Sequence, residues 1–430
     1  MRTPEAQARR AERRFEVTVH RNLTRNFTAH LLHGMLGQTG FRLVNAPTFL
    51  PAYVLMLSGG SNVAVGAALA VQSLGMMITP FFGATLIEHR PKVLPVGMVI
   101  GTAMRLSVLG IALSGLLLPP DLALAGIFAS LVLFGLFQGV QGVLFNFLMS
   151  KVIPVSKRGR LTGLRNFLAG ITSAAVAYTA GEYFLGDSPD IAGYSHTFIL
   201  AFVLTMCGLL MLLFMKEPAP PVLRSKSSVA TRLRELPALL RDDPDFARYL
   251  LARALANTGR MALPFYVVYA GTSMQLSGAN LALTTIAFTI AGTVSNLLWG
   301  ALGDRYGFRL VFLSATGVWI LATCTLLVSS GVALTVAVFA AVGAAVQGFQ
   351  NASVNLTLEF GRREDLPARI AVANTASEFM GSIGPLAGGF IAASFGYHAV
   401  FAVAVAFLAA GGLMVQLKVR DPRRRVETGS

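Results

Sequence analysis

The sequence predicts an all-α integral membrane protein of twelve transmembrane helices, arranged as two pseudo-symmetric six-helix bundles. Three observations carry that prediction. The chain is 54% hydrophobic and only 13% charged, with a mean hydropathy of +0.64, whereas soluble domains carry about a quarter charged residues. Its apolar residues fall into runs near the ~20 residues that a bilayer crossing needs. The runs also repeat: Gln138-Gly139-Val140-Gln141 followed by Asn146 returns as Gln347-Gly348-Phe349-Gln350 followed by Asn355, with Arg160 and Arg369 in register beyond them.

Residues 1–25 are polar and basic, lack the apolar region of a cleavable signal, and read as a tail. Spans 1 to 6 follow at about 28–57, 62–86, 93–118, 122–149, 161–184 and 197–215. Together they make a first bundle over 26–215. A linker rich in Pro, Arg and acids occupies 216–245, and within it 230–241 has the pattern of a short amphipathic surface helix. Spans 7 to 12 lie at about 246–272, 278–302, 308–329, 332–358, 368–394 and 397–417. They make a second bundle over 246–418, and 419–430 form a closing tail. The other connections are short, as antiparallel bundles require. Span 1 echoes span 7, which sets Gln38 opposite Asn257. Span 4 echoes span 10, and spans 2 and 8 align at Gly83-Ala84 and Gly300-Ala301. Amides retained inside spans of both halves need partners there, which is the layout of a transporter with its site between two repeats.

Charge placement orients the chain. Of 35 Lys and Arg, four lie within spans (Arg42, Arg105, Arg253 and Arg260). The rest fall in the tails, in the loops after even-numbered spans or at the span ends beside those loops. Loops on the opposite face carry acids such as Asp121, Glu182, Asp187 and Asp190. The positive-inside rule therefore puts both termini in the cytoplasm, and the protein is expected to work as a multi-pass monomer in the inner (cytoplasmic) membrane. The net charge of +15 reports topology and contact with anionic membrane lipid. No separate basic domain exists for nucleic acid.

One loop is specific. Gly300-Ala301-Leu302-Gly303-Asp304-Arg305-Tyr306-Gly307-Phe308-Arg309 resembles the signature G-x-L-x-D-R-x-G-x-R of the major facilitator superfamily, between the second and third helices of a half. The first-half copy, Gly83 to Lys92, keeps charge at Glu88, His89 and Arg90 but lacks the second glycine. The resemblance spans about 26–418. It implies secondary transport by rocking of two bundles around a cavity lined mainly by spans 1, 4, 7 and 10. It also makes Gly303, Asp304, Arg305, Arg309, Glu88 and Arg90 gating residues. Independently of the family, glycines permit the tight turn, and an acid near a helix N-terminus is favoured by the dipole.

Polar residues inside spans are the candidate site. Gln38, Arg42 and Asn45 share one face of span 1, and Arg253, Asn257 and Arg260 repeat the spacing on span 7. Gln138, Gln141, Gln347 and Gln350 supply amides that both donate and accept, unless they serve as glue between close-packed helices. Charges at the bilayer centre cost ~2.5–3.5 kcal/mol or more, so Arg42 and Arg260 are expected to face a wet cavity and bind substrate. Antiporters of sugar phosphates in the resembled superfamily similarly place one arginine on each of these helices. Glu378, between Asn374 and Ser382 on span 11, is expected either to carry a proton or to form a structural ion pair. Arg105 on span 3 has no role in this reading beyond pairing with a polar neighbour.

The expected substrate is thus a small organic anion. The alternative is a proton-coupled exporter of amphipathic, drug-like compounds. His30 and His33, near the cytoplasmic end, are expected to be hydrated, and without a second cluster they make no metal site. Cys207 and Cys324 read as small buried hydrophobes. The chain has no phosphate-binding GxxxxGK[ST] loop and no GxSxG or HExxH motif. No enzymatic activity and no cofactor are therefore expected.

Overall fold

The computed structural model describes residues 4–87, 90–218, 240–241, 243–360 and 366–419, and these are almost wholly helical. Seven helices among the described residues are individually long and apolar enough to cross a membrane. Spans 2, 5 and 11 are helices of 26, 25 and 30 residues (Asn62–Ile87, Val155–Thr179 and Leu366–Phe395). At 1.5 Å per residue each exceeds the ~30 Å hydrocarbon core.

Spans 1 and 7 complete the twelve, and neither is continuous. Span 1 runs Leu23–Asn45, leaves the helical region at Ala46 (ψ 142°) and resumes as Phe49–Leu57. Pro47 explains the break, because its ring pushes the preceding residue into extended conformation. Span 7 runs Pro244–Thr258, tightens into a 3₁₀ turn at Gly259–Ala262 and continues as Leu263–Ala270. Pro264 removes a donor there and crowds the carbonyl four residues back. Two repeat-related helices broken at corresponding depth point to a binding site between them. The basic segment ahead of span 1 is a helix, Pro4–Arg21. Of the linker helix expected at 230–241, residues 230–239 lie outside the described residues.

The neighbour relations display the pseudo-symmetry. Span 4 packs on spans 2 and 3, span 6 on spans 1 and 3, and span 5 on span 1. Adding six to every number reproduces the second half: span 10 on 8 and 9, span 12 on 7 and 9, span 11 on 7. Between the halves, span 2 meets span 11 and span 5 meets span 8, a pair of contacts that the same operation exchanges.

These contacts close at the face away from the termini. A β-carbon at Gly66 would lie 2.2 Å from the Pro385 carbonyl oxygen, and one at Gly278 would lie 2.1 Å from that of Gly181. Only glycine lets these backbones approach so closely. The Gly278 amide donates to the Gly186 carbonyl at 2.6 Å, and the Tyr397 hydroxyl to Asn62 Oδ1 at 2.9 Å. Toward the terminus-bearing face, Gly142, Gly163 and Gly300 have nothing within 4 Å of such a position. The two halves are thus packed together at the face away from the termini. Cys207 and Cys324 point outward from it, so the expectation that they pack inside is corrected.

Candidate substrate cavity

A cavity of about 220 Å³ opens among spans 1, 3, 4 and 5, within the first half. Each wall contributes polar groups in apolar surroundings. Span 1 supplies His33 and Gln38, span 3 Arg105, span 4 Gln138 and Gln141, and span 5 Arg165, with Phe41, Met104 and Phe145 between them. Among the described residues, no carboxylate lines it.

The two arginines are held differently. Arg105 is 1% exposed. Its Nε donates to the Thr205 carbonyl at 2.6 Å and its Nη1 to the Gly101 carbonyl at 2.8 Å, so backbone dipoles stabilise the buried cation. Arg165 crosses to span 1 through space that only a glycine leaves open, since a β-carbon at Gly34 would lie 1.7 Å from its Cδ. Its guanidinium lies 4.9 Å from the centre of the Phe145 ring, a cation–π contact. The Arg165 Nε and Gln141 Oε1 are buried without a hydrogen-bond partner. Such groups ask for an explanation, and a polar ligand is one.

His30 and His33 are both buried, which corrects the expectation that they are hydrated. His33 Nδ1 lies 2.9 Å from the Gly208 carbonyl oxygen. Both His30 nitrogens are buried without partners, its ring against Phe145 at 4.6 Å.

Of the residues expected from sequence, Gln38, Gln138 and Gln141 meet at the cavity. Gln38 Nε2 also donates to Asn166 Oδ1 at 3.1 Å. Arg42 and Asn45 lie on networks outside its lining. Arg42 donates to Thr293 Oγ1 at 2.8 Å and to the Asn166 carbonyl at 3.3 Å, which ties span 1 to span 8 of the other half. Asn45 Oδ1 accepts from Gln72 Nε2, which also reaches Gln138 Oε1.

The second-half residues are not brought to this cavity. Asn257 donates to the Ser377 carbonyl at 2.6 Å, Arg253 to Thr357 Oγ1 at 3.2 Å, and Gln347 packs beside Gly292. Gln350 is half-buried. Arg260 and Glu378 flank Gly381, 3.5 and 3.7 Å from the position of a β-carbon there, beside Ser73 of the first half. They are not within ion-pair distance of each other.

At the terminus-bearing face the loop motif is explained in part. Gly307 has φ +94°, which favours glycine, and Gly303 abuts the Phe308 ring. Arg309 donates to the Val415 and Gln416 carbonyls at the end of span 12. Arg305 is exposed over Tyr306. Asp304 and Arg90 are also exposed, and Glu88 lies outside the described residues.

Sequence reasoning missed Arg165, Asn166, Glu217 and Lys151. Arg165 is hidden by its neighbours Lys157, Arg158 and Arg160, which make it read as a helix end. The signal that could have found it is Gly34, a small residue on the polar part of span 1. Arg105 was assigned no role and proves to line the cavity.

A two-fold repeat of six membrane-crossing helices, shut at one end over a polar cavity, defines a multi-pass membrane transporter for a small molecule. The family model of the Major Facilitator Superfamily matches residues 27–259 and 249–430, and the chain belongs to that superfamily. Among curated relatives, "Multidrug resistance protein MdtG" of Salmonella arizonae is 28% identical over 403 residues, covering 89% of this chain and 92% of the relative. The protein of that name from Proteus mirabilis is 24% identical, covering 90% and 94%. Among solved structures, a D-xylose-proton symporter superposes with TM-score 0.69 at 16% identity, covering 93% of this chain and 99% of the symporter. The nucleoside transporter NupG superposes with TM-score 0.67 at 13% identity, covering 90% and 97%. These structures share the fold.

Proposed function

We propose that this protein is a secondary active transporter that moves a small organic anion across the cytoplasmic membrane by alternating access. In this reading it works as a monomer in anionic lipid, with both termini in the cytoplasm, so the closely packed face lies outward. The observation that carries the substrate class is the cavity with two guanidinium groups, Arg105 and Arg165, and no acid. Gln38, Gln138 and Gln141 supply the neutral hydrogen bonds, and Phe41 and Phe145 suit an aromatic or apolar body. In this reading Arg42, Asn45, Asn257, Arg260, Gln347 and Gln350 complete the site as the halves rock. A thermal-shift screen of organic anions against cationic drugs tests this, since a ligand of the folded state raises the melting temperature. Arg165→Gln should weaken anion binding by roughly ten- to a hundredfold, the worth of one charge-assisted hydrogen bond at ~1.5–3 kcal/mol. Unchanged affinity in the folded variant would remove the anion reading.

A second reading is favoured by the relatives' name and by Glu378. It is a proton-coupled exporter of drug-like compounds, in which Glu378, beside Arg260 at the seam between the halves, loads and releases the proton.

A further inference from the structure

We propose that His33 is a proton-binding group coupled to anion occupancy of the cavity, so that proton and anion travel together. The inference rests on the anion reading and adds the coupling ion and its site.

Its basis is the geometry of the imidazole. Nδ1 faces the Gly208 carbonyl oxygen at 2.9 Å. A carbonyl only accepts, so Nδ1 carries the hydrogen and Nε2 is left with the lone pair. The same ring lines the cavity, and a proton arriving from cavity water therefore has one place to go. The N–H bond at Nε2 is the only bond formed, and it breaks when the proton returns to water.

The surroundings set the coupling. The charged groups facing His33 are Arg105 from span 3 and Arg165 from span 5, and on its own span it faces His30, 6.5 Å away between ring centroids. Span 4 presents Gln138, Gln141 and Phe145, and span 6 presents the Gly208 carbonyl. Neither adds a titratable group there. Protonating His33 in the empty cavity would set a third cation beside two guanidiniums with no carboxylate to offset it. An anion held by Arg105 and Arg165 reverses that repulsion. Each ligand must then strengthen the other's binding by the same factor, as linkage requires. His30 faces Arg165 but does not line the cavity, and both of its nitrogens are buried, so cavity water does not reach it.

The test uses the full chain in lipid nanodiscs with salicylate, benzoate and lactate as probes, all ionised across the range measured. Calorimetric titrations in two buffers of different ionisation enthalpy count the protons taken up on binding. The wild type should take up as much as about one proton per anion near pH 6, and its affinity should fall by up to about tenfold per pH unit between the titration of the free and of the anion-occupied histidine. His33→Asn keeps a nitrogen donor where Nδ1 sits and has no titratable group. It should bind these anions with no proton uptake and with affinity independent of pH. Equal proton uptake in the variant and the wild type would overturn the assignment, as would wild-type binding without uptake. Both outcomes leave the anion reading standing. No binding of any of the three probes by the wild type would overturn the anion reading and this inference with it.

Discussion

Glu217 offers a stringent perturbation, because one side chain holds three spans together. Its carboxylate accepts from the Val93 amide at 2.8 and 2.9 Å and from the Leu94 amide at 2.8 Å, capping the N-terminus of span 3 where the dipole favours an anion. It also pairs with Lys151 at the end of span 4, the two side chains being 2% and 6% exposed, and it follows directly on span 6. Glu217→Gln keeps the shape and removes the charge. Lys151 then keeps neutral acceptors, the Pro91 carbonyl at 2.9 Å and the glutamine oxygen, but no countercharge, and breaking a buried pair from one side costs about 3–5 kcal/mol. Taking about 3 kcal/mol of local stability, exchange of the Val93 and Leu94 amides should accelerate about a hundredfold. Deuterium exchange read by mass spectrometry is the suitable assay. Both tryptophans, Trp299 and Trp319, lie in the second half, so their fluorescence would report mainly on the wrong bundle. Lys151→Met in the Glu217→Gln background should restore part of the loss, giving a coupling of ~1–3 kcal/mol. Unchanged exchange in Glu217→Gln, or additive effects of the two substitutions, would refute the claim that this pair clamps the mouth of the first bundle.

Further outcomes follow from the same geometry. Gly66→Val should prevent closure at the face away from the termini, because its β-carbon would sit 2.2 Å from the Pro385 oxygen. A cysteine replacing Asn62 should then label faster with a membrane-impermeant reagent, while an unchanged labelling rate would contradict the close approach. Asp304→Asn should sharply reduce transport yet leave ligand affinity within a few-fold, since the loop lies outside the cavity, and joint loss of both would argue against a gating role. Glu378→Gln should leave anion exchange intact, and it should abolish pH-driven transport only if the exporter reading holds. Cysteines at Ser58 should label from outside and at Ser156 only after permeabilisation, and the reverse pattern would overturn the orientation drawn from charge bias.

The fold was legible because membrane insertion imposes strong rules on composition. Apolar length marks the spans, since unsatisfied backbone exposed to hydrocarbon is too costly for anything but helices and closed barrels. The duplicated Gln-Gly-x-Gln marks the repeat. What escaped was any feature set by tertiary approach. The breaks at Pro47 and Pro264 lie inside apolar runs that read as continuous, and the prolines signal them only once helical geometry is considered. The exchange of contacts, span 2 with span 11 and span 5 with span 8, follows from the two-fold relation and no pairwise pattern announces it.

The cavity was less legible, and Gly34 with Arg165 shows why. A guanidinium enters a membrane bundle only where another helix leaves room and supplies compensation. The decisive residue is therefore often a glycine on a different span. Counting charges along the chain finds Arg42, Arg105, Arg253 and Arg260 but cannot say which are already satisfied. Arg105 is tied to two carbonyls and Arg42 to Thr293, whereas Arg253 reaches Thr357 but keeps its Nε unpartnered. Arg165 likewise keeps a buried Nε without a partner, and it lines the same cavity as Gln141, whose amide oxygen is in the same condition. Depth in the membrane was the criterion that drew attention to Arg42 and Arg260, and it measures what a charge costs. Availability for a ligand depends on what remains unpaired after the protein's own bonds are made, and on that criterion Arg165 stands ahead of Arg42.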